Sequence, residues 1–199
     1  PPVFVTRAPA QVVGCAWTSG GIVFGVRQGP LHVVGDGGGE PAALTTLEGN
    51  ETLHAWPEEV PGTQVVLFVA GTAGGARLEG KIAALDRRTG RVVRFNLAGT
   101  HPHWVGSGHL VYATTDGSLR AVPFDPAALE VRGTPVPVLD AVGVKTSGAA
   151  NFDISHNGHL VFSASGESTA RRTLTWVDRA GRETPIAAPP RNYFYVRVS

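Results

Sequence analysis

The sequence predicts an all-β fold, a β-propeller of about four four-stranded blades that form a fragment or half of a larger propeller. Three observations predict it. First, 26 glycines and 15 prolines are spread through 199 residues, so no stretch of helical length keeps a helical apolar period uninterrupted. Second, one pattern occurs four times, as CAWTSGGIVFGV (15–26), HAWPEEVPGTQVVLFVAG (54–71), PHWVGSGHLVYATT (102–115) and NFDISHNGHLVFSAS (151–165). Third, each copy is followed by a second hairpin. Four short strands per roughly 40–50 residues, with an aromatic anchor in each unit, is how propeller blades are written.

Within each copy an aromatic residue leads: Trp17, Trp56, Trp104 or Phe152. A polar turn containing glycine comes next, then an apolar strand carrying a second aromatic, Phe24, Phe68, Tyr112 or Phe162. The hairpins that follow are LHVVGDGGGEPAAL (31–44), IAALDRRTGRVVRF (82–95), LRAVPFDPAALEVRGTPVPVL (119–139) and LTWVDRAGRETPIA (174–187). Each runs to an aspartate, Asp36, Asp86, Asp125 or Asp178, whose carboxylate suits it to cap the backbone of a turn. The units fall at about 12–49, 50–98, 99–144 and 145–190, with the start of a further blade at 191–199. Sheets apolar on both faces can bury them only against neighbouring blades.

The units resemble the TolB-like, WD-repeat-like propeller repeat, usually written W-S-P-D-G-x-x-(I/L)-x-(F/Y). Their order, including AVPFDPAALEVRGTPVPV, is similar most closely to the propellers attached C-terminally to bacterial serine/threonine protein kinases. The resemblance spans nearly the whole chain. It implies a sensor or scaffold role, an extracytoplasmic location, and more blades than four. The full S-P-D-G turn is not kept, since residues 18–21 read TSGG and residues 155–158 read SHNG, so the calcium-binding aspartate of that turn is missing.

A net charge of +1 with 17% charged residues gives no electrostatic footprint for nucleic acid or an anionic membrane. The longest apolar run, VVLFVA at 65–70, is too short for a membrane segment. The start, PPVFVTRAPAQ, lacks the pattern of a signal peptide. The absence of methionine points to a piece of a longer chain. The single cysteine, Cys15, cannot form an intrachain disulfide and reads as a buried, inert thiol.

GGARLEGKI (74–82) runs Gly75, four residues, Gly80, Lys81, one residue short of a phosphate-binding loop. Ile82 stands where the magnesium-holding Ser/Thr belongs, and the stretch joins two strands with no helix to receive a phosphate. It therefore reads as a turn, with Lys81 solvated in a loop; GDGGGE (35–40) is a hairpin tip for the same reason. His101 and His103, at i and i+2, share one face of a strand near the mouth of a propeller channel, and His54 takes nearly the same place one blade earlier. These three are the candidate ligand-binding residues. They could in principle hold zinc, but packing beside Trp56 or Trp104, or solvation, is the preferred reading, and no metal or cofactor is assigned. His109 and His159 read as solvated. The tryptophans read as core anchors.

No kinase catalytic loop, complete P-loop or G-x-S-x-G elbow is present, so no catalytic residue is assigned. The leading function is a non-catalytic module that binds a protein or small-molecule ligand at its channel face. The alternative is a hydrolase of lactonase or esterase type, metal-dependent or not, at the channel mouth. Open blade edges, with Tyr193, Phe194 and Tyr195 near one of them, favour a homo-oligomer. Light scattering should accordingly show a dimer or larger species at micromolar concentration; a stable monomer would rule out paired halves.

Overall fold

The computed structural model describes residues 4–72, 78–164, 173–191, 193 and 197. Its described residues contain no helix and form four antiparallel sheets. The first comprises β1 (Val12–Thr18), β2 (Gly21–Val26), β3 (His32–Val34) and β4 (Ala42–Ala43). The second comprises β5 (Leu53–Glu59), β6 (Val65–Thr72), β7 (Glu79–Asp86) and β8 (Arg91–Ala98). The third comprises β9 (Thr100–Val105), β10 (His109–Ala113), β11 (Leu119–Asp125) and an outer edge split into β12 (Glu130–Val131) and β13 (Val136–Leu139). The fourth comprises β14 (Phe152–Ile154), β15 (Leu160–Phe162), β16 (Thr175–Val177) and β17 (Glu183–Pro185). Each sheet is an up-and-down meander in chain order. This is the propeller arrangement expected from the repeats.

The alternation along the middle strands explains how the sheets stack. In a strand, successive side chains point to opposite faces. Along β6, Val65, Leu67 and Val69 enter one core with Leu110, Tyr112, Val122 and Phe124 of the third sheet. Val66, Phe68 and Ala70 enter another with Val23 and Leu31 of the first-sheet repeat. β10 does the same: Leu110 and Tyr112 face the second sheet, while Val111 and Ala113 pack with Phe152 and Leu160 of the fourth. Phe68, Leu67 and Leu110 are fully buried, and each contributes about 1.5–3 kcal/mol. On the far face of the first sheet, Phe24, Val26 and Val34 are covered by Val5 and Ala8. The opening segment is held there by Thr6, whose hydroxyl donates to the Gly39 carbonyl.

Three of the four aspartates assigned to turns cap them. Asp86 accepts the Arg88 N–H, Asp125 those of Ala127 and Ala128, and Asp178 those of Ala180 and Arg182. Lys81, expected in a loop, is instead an exposed residue of β7, where its Nζ donates to Asn96 at 3.2 Å. Residues 74–77 of the near-P-loop stretch lie outside the described residues, as do Phe194, Tyr195 and most of 191–199.

The innermost strands β1, β5 and β9 each carry a β-bulge at an equivalent place, three residues before the penultimate position of the first hairpin. The bulge residues are Gly14, Trp56 and His101, all in the left-handed region at φ 83°, 52° and 55°. This register differs from the alignment on leading aromatics. Trp17 and Trp104 are equivalent, pairing with Ile22 and Leu110, but Glu59, paired with Val66, takes that place in the second sheet. Trp17 is also 71% exposed and Trp176 40% exposed, so neither anchors a core.

A Cβ at Gly14 would lie 2.8 Å from Trp56 Cε3 and 2.9 Å from Trp56 Cα. Gly14→Ala therefore combines a left-handed backbone penalty with a backbone clash, and should cost about 2–3 kcal/mol in urea unfolding. A loss below about 0.5 kcal/mol would contradict the close packing of β1 on Trp56.

Candidate functional site at the centre of the sheets

Each innermost strand pairs along one edge with the next strand of its own sheet, and the innermost strands gather around a cavity of about 430 Å³. Its wall takes Val12, Gly14 and Cys15 from β1, Trp56, Pro57 and Glu58 from β5, and His101, Pro102 and His103 from β9. Ala150, Phe152 and Asp153 come from the fourth repeat, and Arg197 completes the lining. All four sheets thus contribute, and the bulge positions supply Gly14, Trp56 and His101.

Trp56 spans this space. Its Cε3 side approaches Gly14, and its Nε1 would lie 3.2 Å from a Cβ at Gly148, in the loop ahead of β14. Gly148 is itself left-handed and its carbonyl accepts the Thr100 hydroxyl at 2.7 Å. Glycine at both ends makes room for the indole. A run of rings continues from it: Trp56 to His101 at 4.9 Å between centroids, His101 to His103 at 5.2 Å, and His103 to Phe152 at 5.0 Å.

His103 is buried, and its Nδ1 is in hydrogen-bond contact with Glu58 Oε2 and 3.8 Å from Asp153 Oδ1. Glu58 Oε1 accepts the Trp104 N–H at 3.0 Å, and Asp153 Oδ1 accepts the Ile154 N–H at 2.9 Å. Burial disfavours the imidazolium, but the Glu58 carboxylate, its hydrogen bond and Asp153 outweigh that, so the His103 pKa is raised above 6.5. His101 moves the other way. Burial, reinforced by His103, Arg197 and Lys145, holds its pKa well below 6.5. The two neighbours thus shift in opposite directions, His103 toward the imidazolium and His101 toward the neutral imidazole. Among the described residues, buried His103 Nε2, His101 Nδ1 and Trp56 Nε1 have no hydrogen-bond partner, an arrangement native proteins tolerate rarely.

His54 does not join them. It is fully buried away from the cavity lining and packs on Phe68 at 4.8 Å. The Thr45 hydroxyl accepts the Leu31 N–H and lies 2.7 Å from His54 Nδ1, so it donates there; His54 Nε2–H then donates to Glu51 at 3.0 Å. Arg94 closes the chain with two bonds to Glu51, at 2.5 and 3.0 Å. Burial lowers the His54 pKa. The placement fails because His54 lies two residues before the bulge whereas His101 is the bulge residue. The zinc reading loses its third imidazole, and among the described residues no three His, Cys, Asp or Glu are grouped to hold a metal ion.

Cys15, expected to be buried, is exposed and lines the cavity. His159 is exposed and His109 partly so. Glu58 and Asp153 escape attention in the sequence, where one is in a run of two glutamates and the other precedes a turn. Counting residues back from the hairpin turn would have placed Glu58 and His103 at the same register position.

No family model and no curated protein matches the sequence. Among solved structures the chain is similar to TolB from Acinetobacter baumannii, at TM-score 0.48 and 16% identity over 89% of this chain and 55% of that one. It is also similar to the tricorn protease, at TM-score 0.47 and 15% identity over 88% of this chain and 16% of that one.

Glu51 offers a quantitative check on the His54 chain. Burial alone would raise its pKa, but Arg94, the Glu48 N–H and His54 hold it at about 2, against an ordinary 4.5. A depressed carboxyl contributes stability that is complete above pH 4.5 and is lost as pH falls toward 2. Glu51→Gln should therefore cost up to about 3 kcal/mol at pH 7 in urea unfolding, with the gap from wild type closing below pH 4. A gap that stays constant with pH would refute the assignment.

Proposed function

We propose that this β-propeller chain is a non-catalytic binding module whose ligand seats in the central cavity. Such a role agrees with its repeats, which resemble the sensor or scaffold region of bacterial receptor-type kinases. The observation that carries the reading is the set of three buried ring nitrogens without partners on residues that line one cavity. Two of those residues, Trp56 and His101, are also held in left-handed bulges. A non-glycine residue in that region costs about 1–3 kcal/mol and persists where the surroundings enforce it, commonly at ligand sites. Aromatic and proline surface around a few aimed polar groups is the usual make-up of a small-molecule site.

One observation favours the alternative hydrolase: His103 between two carboxylates resembles a supported general acid. A binding site also needs charged groups held in place, so the pair alone does not select catalysis.

Ligand-detected NMR against a mixed panel of small acids, amines and neutral polyols tests the reading. At least one compound should bind to wild type and fail to bind to Trp56→Gly, a change that suits the left-handed backbone and removes the indole. No binding by any member would sink the proposal. Turnover of a 4-nitrophenyl ester that is lost on replacing His103 would instead establish the hydrolase.

A further inference from the structure

We propose that the central cavity recognises a carboxylate, from a free small acid or a peptide C-terminus, received by the edge of the His103 ring; this rests on the binding role above. Both carboxylates of the lining are already engaged. Glu58 has both oxygens occupied, Oε1 by the Trp104 N–H and Oε2 by His103 Nδ1. Asp153 Oδ1 takes the Ile154 N–H and lies within 4 Å of the same imidazole nitrogen. The two carboxylates, from β5 and β14, thus support His103 from two neighbouring sheets. Among the described residues, the buried lining atoms without a partner are nitrogens: His103 Nε2, His101 Nδ1 and Trp56 Nε1.

An indole N–H can only donate. His103 gives its Nδ1 proton to Glu58, so as a cation it can also donate from Nε2. Arg197 adds a second cationic donor to the lining. The complement to such a set is an acceptor bearing negative charge, for which charged hydrogen bonds are strongest. Pro57, Pro102, Ala150 and Phe152 offer apolar surface for the body of an acid. A cationic ligand fits poorly, because it would face the Arg197 guanidinium and the donor edge of His103 while both Glu58 oxygens are already engaged.

The charged and titratable groups that face His103 set the pH dependence. Glu58 from β5 and Asp153 from β14 favour the cation, whereas burial and Arg197 oppose it, with the raised pKa as the net result. His101, on the same strand, is the neutral neighbour, depressed by burial, by His103, by Arg197 and by Lys145. Carboxylate affinity should therefore fall as pH rises through the raised His103 pKa.

The test is calorimetry with benzoate, benzamide and benzylamine, together with an N-acetylated tripeptide and its C-terminal amide. Benzoate should bind wild type, and benzamide and benzylamine should not. His103→Asn keeps a donor in the place of Nδ1 and removes Nε2, so it should lose benzoate binding by at least about tenfold while still unfolding cooperatively. Stronger binding by the free tripeptide than by benzoate, lost in its amide, would identify a peptide C-terminus as the source; the reverse would identify a free acid. Equal or better binding of benzamide or benzylamine overturns the carboxylate inference and leaves the cavity-binding role standing. Silence from every carboxylate also overturns it, while the binding role still depends on the wider panel. Should the Asn variant fail to fold, wild-type benzoate affinity that does not change between about pH 6 and pH 9 overturns it as well.

Discussion

The architecture depends on one constraint: the middle strands are apolar on both faces. β6 sends Val65, Leu67 and Val69 one way and Val66, Phe68 and Ala70 the other. Neither set can be left in water, since each buried side chain of this kind contributes about 1.5–3 kcal/mol. The second sheet must therefore be sandwiched, and β10 imposes the same requirement on the third. Stacked meanders whose neighbours all twist the same way bring their first strands together at one side. The cavity is what remains between those strands.

The sheets are also joined by two unlike polar connections. Thr45, His54, Glu51 and Arg94 link the first repeat to the second through a chain in which every donor has an acceptor and His54 stays neutral. Glu58, His103 and Asp153 link the second, third and fourth sheets through a charge. The first chain is complete and has no spare capacity. The second leaves His103 Nε2 unused. A satisfied network rigidifies, and a partly satisfied one in low dielectric is costly unless something completes it. The contrast separates a structural histidine from a candidate binding one more clearly than position along the strand does.

Much of the fold was legible because period-two alternation and turn aspartates are local signals. Asp86, Asp125 and Asp178 cap the turns that their neighbours suggest. The site was less legible because it depends on register. His101 and His103 line the cavity, being inside the bulged strand itself. His54, Cys15 and Trp17 were misplaced because the aromatic that leads each repeat is not the same structural position. Trp17 and Trp104 come just before the turn, whereas Trp56 sits at the bulge three residues earlier. The turn of the second sheet, across residues 61–64, is longer than the Ser19–Gly20 turn of the first, and this displaces any alignment made on tryptophan. Glu58 carries only its register position as a signal and Asp153 none, because they become partners of His103 only when three sheets meet.

The bulges show why the site takes its chemistry from so few positions. A bulge turns a residue out of the regular pleat and can aim its side chain where an ordinary strand residue cannot reach. At β1 the residue is glycine, which meets the left-handed backbone without strain and yields room to the indole. At β5 and β9 the same backbone carries Trp56 and His101. If packing alone mattered, glycine would serve at all three, since it would remove the strain and the orphaned nitrogens together. Retaining two polar rings there costs stability twice, once in the backbone and once in unmet hydrogen bonds. Both costs fall at one cavity, beside a His103 ring that carboxylates of two other sheets hold in place, and a ligand that accepts those hydrogen bonds would offset them.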